Sequence, residues 1–201
     1  MTGLASHDYA GLAPGFADPV HDAQACFRAV LDATAHPGRI VTVAGVLPDG
    51  AALGPAARAI GLTLCDIDTP IWLDAASAAE AGYLAFHCGA PQAPSLAEAR
   101  FGFIADPGAL PPLADFALGT DEYPERSATL VIEVAGLAEN AGAILRGPGI
   151  LGERRLAVPG LPARFWAERA ALAELFPRGL DVLFTSGRRL AALPRSTGVL
   201  V

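Results

Sequence analysis

The sequence predicts one α/β domain with a mixed sheet flanked by helices. Three observations point there. Segments with apolar residues at helical spacing interleave with short β-branched or continuously apolar runs. No internal repeat, low-complexity tract or convincing linker divides them. A chain of 201 residues, 52% apolar and 17% charged, can also bury a core without metal or disulfide staples and is not composed like a disordered one. Residues 1–15, rich in Gly, Ala and polar side chains, are expected to form a flexible N-terminal arm, leaving 16–201 as the domain.

The first helix is expected from Asp18-Pro19 to Ala35. Asp accepts from the free N–H groups of a helix start, and Pro is tolerated at the first helical position. Val20, Ala23, Phe27, Val30, Leu31 and Thr34 follow at helical spacing, and His36-Pro37-Gly38 stops the run. Residues 39–43 read as a short strand. A second helix opens at Gly54-Pro55 and runs to about Leu64. A tight turn at Asp66-Ile67-Asp68 precedes a strand over 69–73, and a helical patch over 77–84 leads to Phe86-His87. Residues 100–105 and 128–135 read as strands, the second central, with a short helix between them at 107–118. Two strand-like pieces, 143–146 and 154–158, surround a Gly-rich turn. A helix opened by Pro162 then runs to Phe176, and a strand–turn–strand unit covers 180–193.

Composition excludes several chemistries. The net charge is −7 and no basic run exists, which argues against nucleic acid and against an anionic membrane. All 14 cationic side chains are Arg. Without Lys, neither a pyridoxal-phosphate Schiff base nor an ordinary P-loop can form. Cys26, Cys65 and Cys88 are odd in number and far apart, so they make no disulfide framework, zinc ribbon or iron–sulfur cradle. His7, His21, His36 and His87 lack a familiar metal-ligand spacing, and no cofactor is expected. The N-terminus lacks a positive flank and an apolar stretch, and no run approaches the ~20 apolar residues of a membrane span. A cytoplasmic location is the expectation.

The motifs each carry two readings. Gly147 to Gly152 matches G-x-G-x-x-G, but strand-like residues follow where a dinucleotide site needs a helix. A structural turn is favoured, with an anion nest beside Arg146 as the alternative. His87 is read as a hydrogen-bonded structural residue ahead of an acid or base. Asp66 and Asp68 fit turn capping better than catalysis. Ser186 lacks the nucleophile-elbow pattern. Arg28, placed beside the first helix's apolar stripe, and Arg146, Arg178 and Arg195 are candidate oxyanion-binding residues. The competing reading is an internal ion pair, for example Arg178 with Asp181. Trp72, Phe165 and Trp166 fit a core or an interface equally.

The ordered set of motifs resembles a known family. Gln24, Phe27 and Arg28, then His36-Pro37-Gly38, then LTLCDIDTPIWL over 62–73, then Phe86-His87 come first. Gly119-Thr120, Pro124-Glu125 with Ser127 and Thr129, Gly147 to Ile150, Phe176 to Asp181 and Pro194 to Thr197 complete the series. From about Asp18 to the C-terminus this resembles the PhnH family, a subunit of the bacterial carbon–phosphorus lyase system for phosphonate breakdown.

The resemblance implies a fold similar to the large domain of pyridoxal-phosphate-dependent transferases, without the cofactor. It also implies a homodimer joined to the G, I and J subunits of a core assembly. That assembly displaces adenine from ATP with a phosphonate, giving ribose 1-phosphonate 5-triphosphate. The residues of this chain then suggest the part it plays. With no legible catalytic constellation, the expected role is an accessory, assembly subunit. The alternatives are a substrate-binding subunit lending Arg residues to ATP or a phosphonate, and a stand-alone transferase. Asp68, His87 and Asp181 are the further polar residues expected at a pocket or in a structural role.

Overall fold

The computed structural model describes residues 12–45 and 47–200; most of the expected N-terminal arm lies outside them. The last residues of that arm are engaged. The Ala13 carbonyl accepts from His87 Nε2 at 3.0 Å and the Pro14 carbonyl from the Tyr83 hydroxyl at 3.2 Å.

Helix α1 spans Pro19–Ala35. The Asp18 carboxylate accepts from the His21 N–H at 3.2 Å, and the His36 N–H closes the last turn on the Asp32 carbonyl at 3.0 Å. Both ends follow from residues visible in the sequence. The chain continues through β1 (Ile40–Thr42), α2 (Pro55–Leu64), β2 (Ile71–Leu73), α3 (Ala81–Cys88) and β3 (Phe101–Ile104). It then forms β4 (Thr129–Glu133), β5 (Ala138–Arg146), β6 (Arg154–Ala157), α4 (Phe165–Ala173), β7 (Asp181–Ser186), β8 (Arg189–Leu193) and β9 (Gly198–Leu200).

A six-stranded mixed sheet runs in the order β1-β8-β7-β4-β3-β2. Strands β2, β3, β4 and β7 are mutually parallel, whereas β8 is antiparallel to β7 and to β1. A small antiparallel sheet, β6-β5-β9, packs beside it. Strand β4 lies inside the large sheet, as its continuous apolar run predicts. Its residues alternate between two cores. Leu130 and Ile132 face the core shared with α4 and the small sheet, through Phe165, Leu172, Leu145, Leu156 and Val199. Val131 faces the core shared with α1, α2 and α3, through Cys26, Ala33, Ile60 and Leu84.

Four expectations change. The helix expected over 107–118 is instead two 3-10 turns, Pro107–Ala109 and Leu113–Asp115; prolines at 107, 111 and 112 remove the N–H donors that a longer helix needs. Helix α4 starts at Phe165, three residues after Pro162, and ends at Ala173. Strand β9 follows the Pro194–Thr197 turn and was not anticipated. Most consequentially, the larger apolar residues of α1 face outward. Val20, Phe27 and Leu31 are 75%, 50% and 57% exposed, while Cys26 and Ala33 are fully buried. Small side chains let α1 approach α2, which buries Ala56, Ala57 and Ala59.

Candidate functional site

The sequence motifs converge on one end of the large sheet. The turn around Asp66 and Asp68 precedes β2, Arg100 immediately precedes β3, and Pro124 to Ser127 lead into β4. Phe176 to Gly179 lead into β7, whose first residue is Asp181. The Pro194–Thr197 turn follows β8 and arrives at the same end, because Val182 of β7 is registered with Leu193 of β8. These are the amino ends of the four parallel strands.

The opposite ends, where open α/β sheets usually bind ligands, are closed by two carboxylates. Asp74, just after β2, accepts from the N–H groups of Ser77 (2.7 Å), Ala105 (3.0 Å) and Asp106 (2.9 Å). Glu133, at the end of β4, accepts from Gly54 N–H (3.3 Å), Gly187 N–H (3.2 Å) and the Thr185 hydroxyl (2.7 Å). Each carboxylate satisfies backbone donors that the strand ends and the start of α2 leave open.

At the amino ends, Asp181 and Arg195 form a charge-assisted link. The Asp181 carboxylate accepts from the Arg195 backbone N–H at 2.7 Å and from its Nε at 3.1 Å. Arg195 Nη1 donates in turn to the Pro124 carbonyl, so one guanidinium joins three motifs. The example pairing of Arg178 with Asp181 is corrected here. Arg178 pairs with Asp121 at 3.1 Å, and Arg195 takes Asp181.

A residue that the sequence reading passed over lies beneath this link. Arg169 of α4 is fully buried and donates to the Pro194 carbonyl. Its Nε and Nη1 find no partner among the described residues. Burial lowers its pKa to about 10, Asp181 acts in the opposite direction, and Arg195 lowers it further. Its spacing was the available signal. Phe165, Arg169 and Leu172 stand at i, i+4 and i+7, which puts Arg169 on the buried stripe.

The other candidates are dispersed. Arg146 pairs with Glu153 across the Gly-rich turn, which approaches the Pro194–Thr197 turn closely: a Cβ on Gly147 would lie 2.9 Å from the Ser196 carbonyl oxygen. The turn reading holds, because strand β6 and not a helix follows it, and the dinucleotide reading falls. Arg28 is exposed on α1 beside Phe27, among the outward apolar residues and not beside a buried stripe. His87 packs against Tyr83, ring centroids 4.5 Å apart and planes tilted by 56°, and its Nε2 is hydrogen-bonded to the Ala13 carbonyl. Asp66 caps its turn by accepting from the Asp68 N–H at 2.9 Å, while Asp68 lines a cleft. The structure therefore brings together Arg195, Asp181 and, on the same edge, Arg178 and Asp68. Arg146 lies close to that edge, registered with Gly198 just beyond the Pro194–Thr197 turn, but among the described residues no hydrogen bond or ion pair joins Arg28, Arg146 or His87 to Asp181 or Arg195.

Comparisons with known proteins cover nearly the whole chain. The family model described as "Bacterial phosphonate metabolism protein (PhnH)" matches residues 14–200. A protein of Rhizobium meliloti (strain 1021), named "Alpha-D-ribose 1-methylphosphonate 5-triphosphate synthase subunit PhnH", is 44% identical over 184 residues, which are 90% of this chain and 92% of the relative. A protein of Stutzerimonas stutzeri, named "Putative C-P lyase subunit protein HtxG", is 32% identical over 178 residues, 88% and 85% of the two chains.

Proposed function

The chain belongs to the PhnH family, and from that premise we propose that it is an accessory subunit of a ribose 1-methylphosphonate 5-triphosphate synthase, acting in phosphonate catabolism. Its part is to hold an assembly in which a phosphonate displaces adenine from ATP. The G, I and J subunits are the partners in this reading, a homodimer its starting unit, the cytoplasm its setting, and residues 16–201 its single folded domain. A fold akin to the large domain of pyridoxal-phosphate-dependent transferases belongs to the same reading, as does the use of that scaffold for support.

One observation carries the assembly role. Val20, Phe27 and Leu31 form an outward apolar row seven and four residues apart on one face of α1. Large apolar side chains aligned on a helix surface gain free energy when a partner covers them. Three of the four candidate arginines, in contrast, are used internally, with Arg146, Arg178 and Arg195 each paired to a carboxylate. The substrate-binding alternative would have to break those pairs. We assign the α1 row to a second copy of the chain.

Light scattering after size exclusion tests this. The wild type is expected at twice the 20.6 kDa chain mass, and the Phe27→Asp/Leu31→Asp variant at the single mass. A monomeric wild type would remove the homodimer. A Phe27→Asp/Leu31→Asp variant that stays at twice the chain mass would remove α1 as the surface between copies.

A further inference from the structure

At the amino ends of β3 and β4 a cleft of about 380 Å³ opens between the turn before β2 and the residues leading into β4. Asp68, Arg100, Glu125, Arg126 and Ser127 line it. A neighbouring cleft of about 330 Å³ shares Arg100 and Arg126, so the two form a groove divided by guanidinium groups. Its size is that of a small-molecule site.

The charged groups in this cleft face water and are open to a ligand, with Asp68, Glu125 and Arg126 exposed and Arg100 half-buried. Among the described residues, Arg100, Arg126, Asp68 and Glu125 make no ion pair, with each other or with anything else. Arg126 lies over the Tyr123 ring at 4.1 Å, a cation–π contact that leaves the guanidinium's N–H donors available. Ser127 is only 6% exposed, and its hydroxyl has no hydrogen-bond partner among the described residues. A buried hydroxyl in that condition is destabilising until an oxygen or a donor reaches it. The neighbouring Thr69 hydroxyl, by comparison, is engaged with the Asp66 carbonyl at 2.8 Å.

Two guanidinium groups recognise a phosphate or similar oxyanion, and two carboxylates recognise vicinal hydroxyls as acceptors. A bare oxyanion would satisfy the arginines but be repelled by Asp68 and Glu125. We propose that this cleft binds a small phosphorylated polyol, its oxyanion held by Arg100 and Arg126 and its hydroxyls donating to Asp68 and Glu125. The site uses none of the four arginines singled out in the sequence, and it does not depend on the assembly role.

Calorimetric titration of the full chain, without partner subunits, tests it. Ribose 5-phosphate, inorganic phosphate and ribose are the probes. The wild type is expected to bind ribose 5-phosphate more tightly than phosphate. Arg100→Ala and Arg126→Ala should each weaken ribose 5-phosphate ~10- to 100-fold. Asp68→Asn should weaken ribose 5-phosphate but not phosphate, and Arg155→Ala, which removes an equal charge on β6, should change nothing. Circular dichroism verifies the fold of each variant, and exposed Arg126 decides the matter if Arg100→Ala misfolds. Absence of binding, equal affinity in the Arg126 variant, or phosphate binding as tight as the ester would each overturn the proposal. So would retention of a partner subunit that is lost on Arg126→Ala while the ester shows no affinity, since the cleft would then serve a protein. Failure here leaves the oligomer measurement on α1 unaffected, so the two readings fall separately.

Discussion

Asp181 and Arg195 fasten the start of β7 to the turn that follows β8, through a backbone N–H at 2.7 Å and a guanidinium Nε at 3.1 Å on the same carboxylate. The link is partly buried and also reaches Pro124. Charge-assisted hydrogen bonds of this kind contribute ~1.5–3 kcal/mol. Asp181→Ala is expected to lower the urea unfolding free energy by about that much. A double-mutant cycle with Arg195→Ala should return a coupling of ~0.5–3 kcal/mol. Additive losses would show that the link contributes packing only.

A deeper ion pair should matter more. Arg58 Nε lies 2.9 Å from Glu80, and the two side chains are 6% and 1% exposed. Glu80 also accepts from the Ala52 N–H, and Arg58 stacks over Tyr83 at 3.8 Å. Removing one partner strands the other charge away from water, a loss of ~3–5 kcal/mol. Chemical denaturation of Glu80→Ala should show it, and a loss below about 1 kcal/mol would contradict the burial of this pair.

The Gly-rich turn gives a graded test. Gly149 has φ +80°, and a Cβ there would meet the Ala35 carbonyl oxygen at the end of α1; Gly152 has φ +74° with open space around it. The left-handed backbone alone costs a non-glycine residue about 1–3 kcal/mol. Gly152→Ala should therefore lower thermal stability modestly and Gly149→Ala clearly more. Equal losses would mean that the turn does not rest on α1.

Stability should also decline in mild alkali. Burial raises the thiols of Cys26, Cys65 and Cys88 above their ordinary value. Between the unfolded thiol pKa, ~8.5, and the raised folded values, the unfolded chain binds fewer protons than the native one. Unfolding free energy therefore falls as pH rises through that window. Urea midpoints at pH 8.0 and 9.5 should differ in that sense, and Cys65→Ala should flatten the difference. A slope that is unchanged in the variant would exclude the thiol as its source.

Much of the fold was legible because local chemistry set it. Asp18-Pro19 and His36-Pro37-Gly38 bracket α1 to the residue, and the largely apolar run over 128–135 announced an interior strand. Which side of α1 turns inward was not legible. In an Ala-rich chain the buried face is made of small residues, Cys26 and Ala33, so the greasiest positions, Phe27 and Leu31, mark the surface instead. Arg169 could have been found by helical spacing. Arg100 and Arg126 could not, since their meeting depends on the parallel register that sets Phe101 opposite Thr129. Strand β9 was hidden for a similar reason, pairing with a β5 segment more than fifty residues earlier.

Adenine release from ATP in the presence of methylphosphonate tests the central claim most directly. The purified chain alone should release none, whereas the reconstituted subunits should release it with the wild-type chain and lose that activity with Phe27→Asp/Leu31→Asp. Release by the isolated chain would contradict the account.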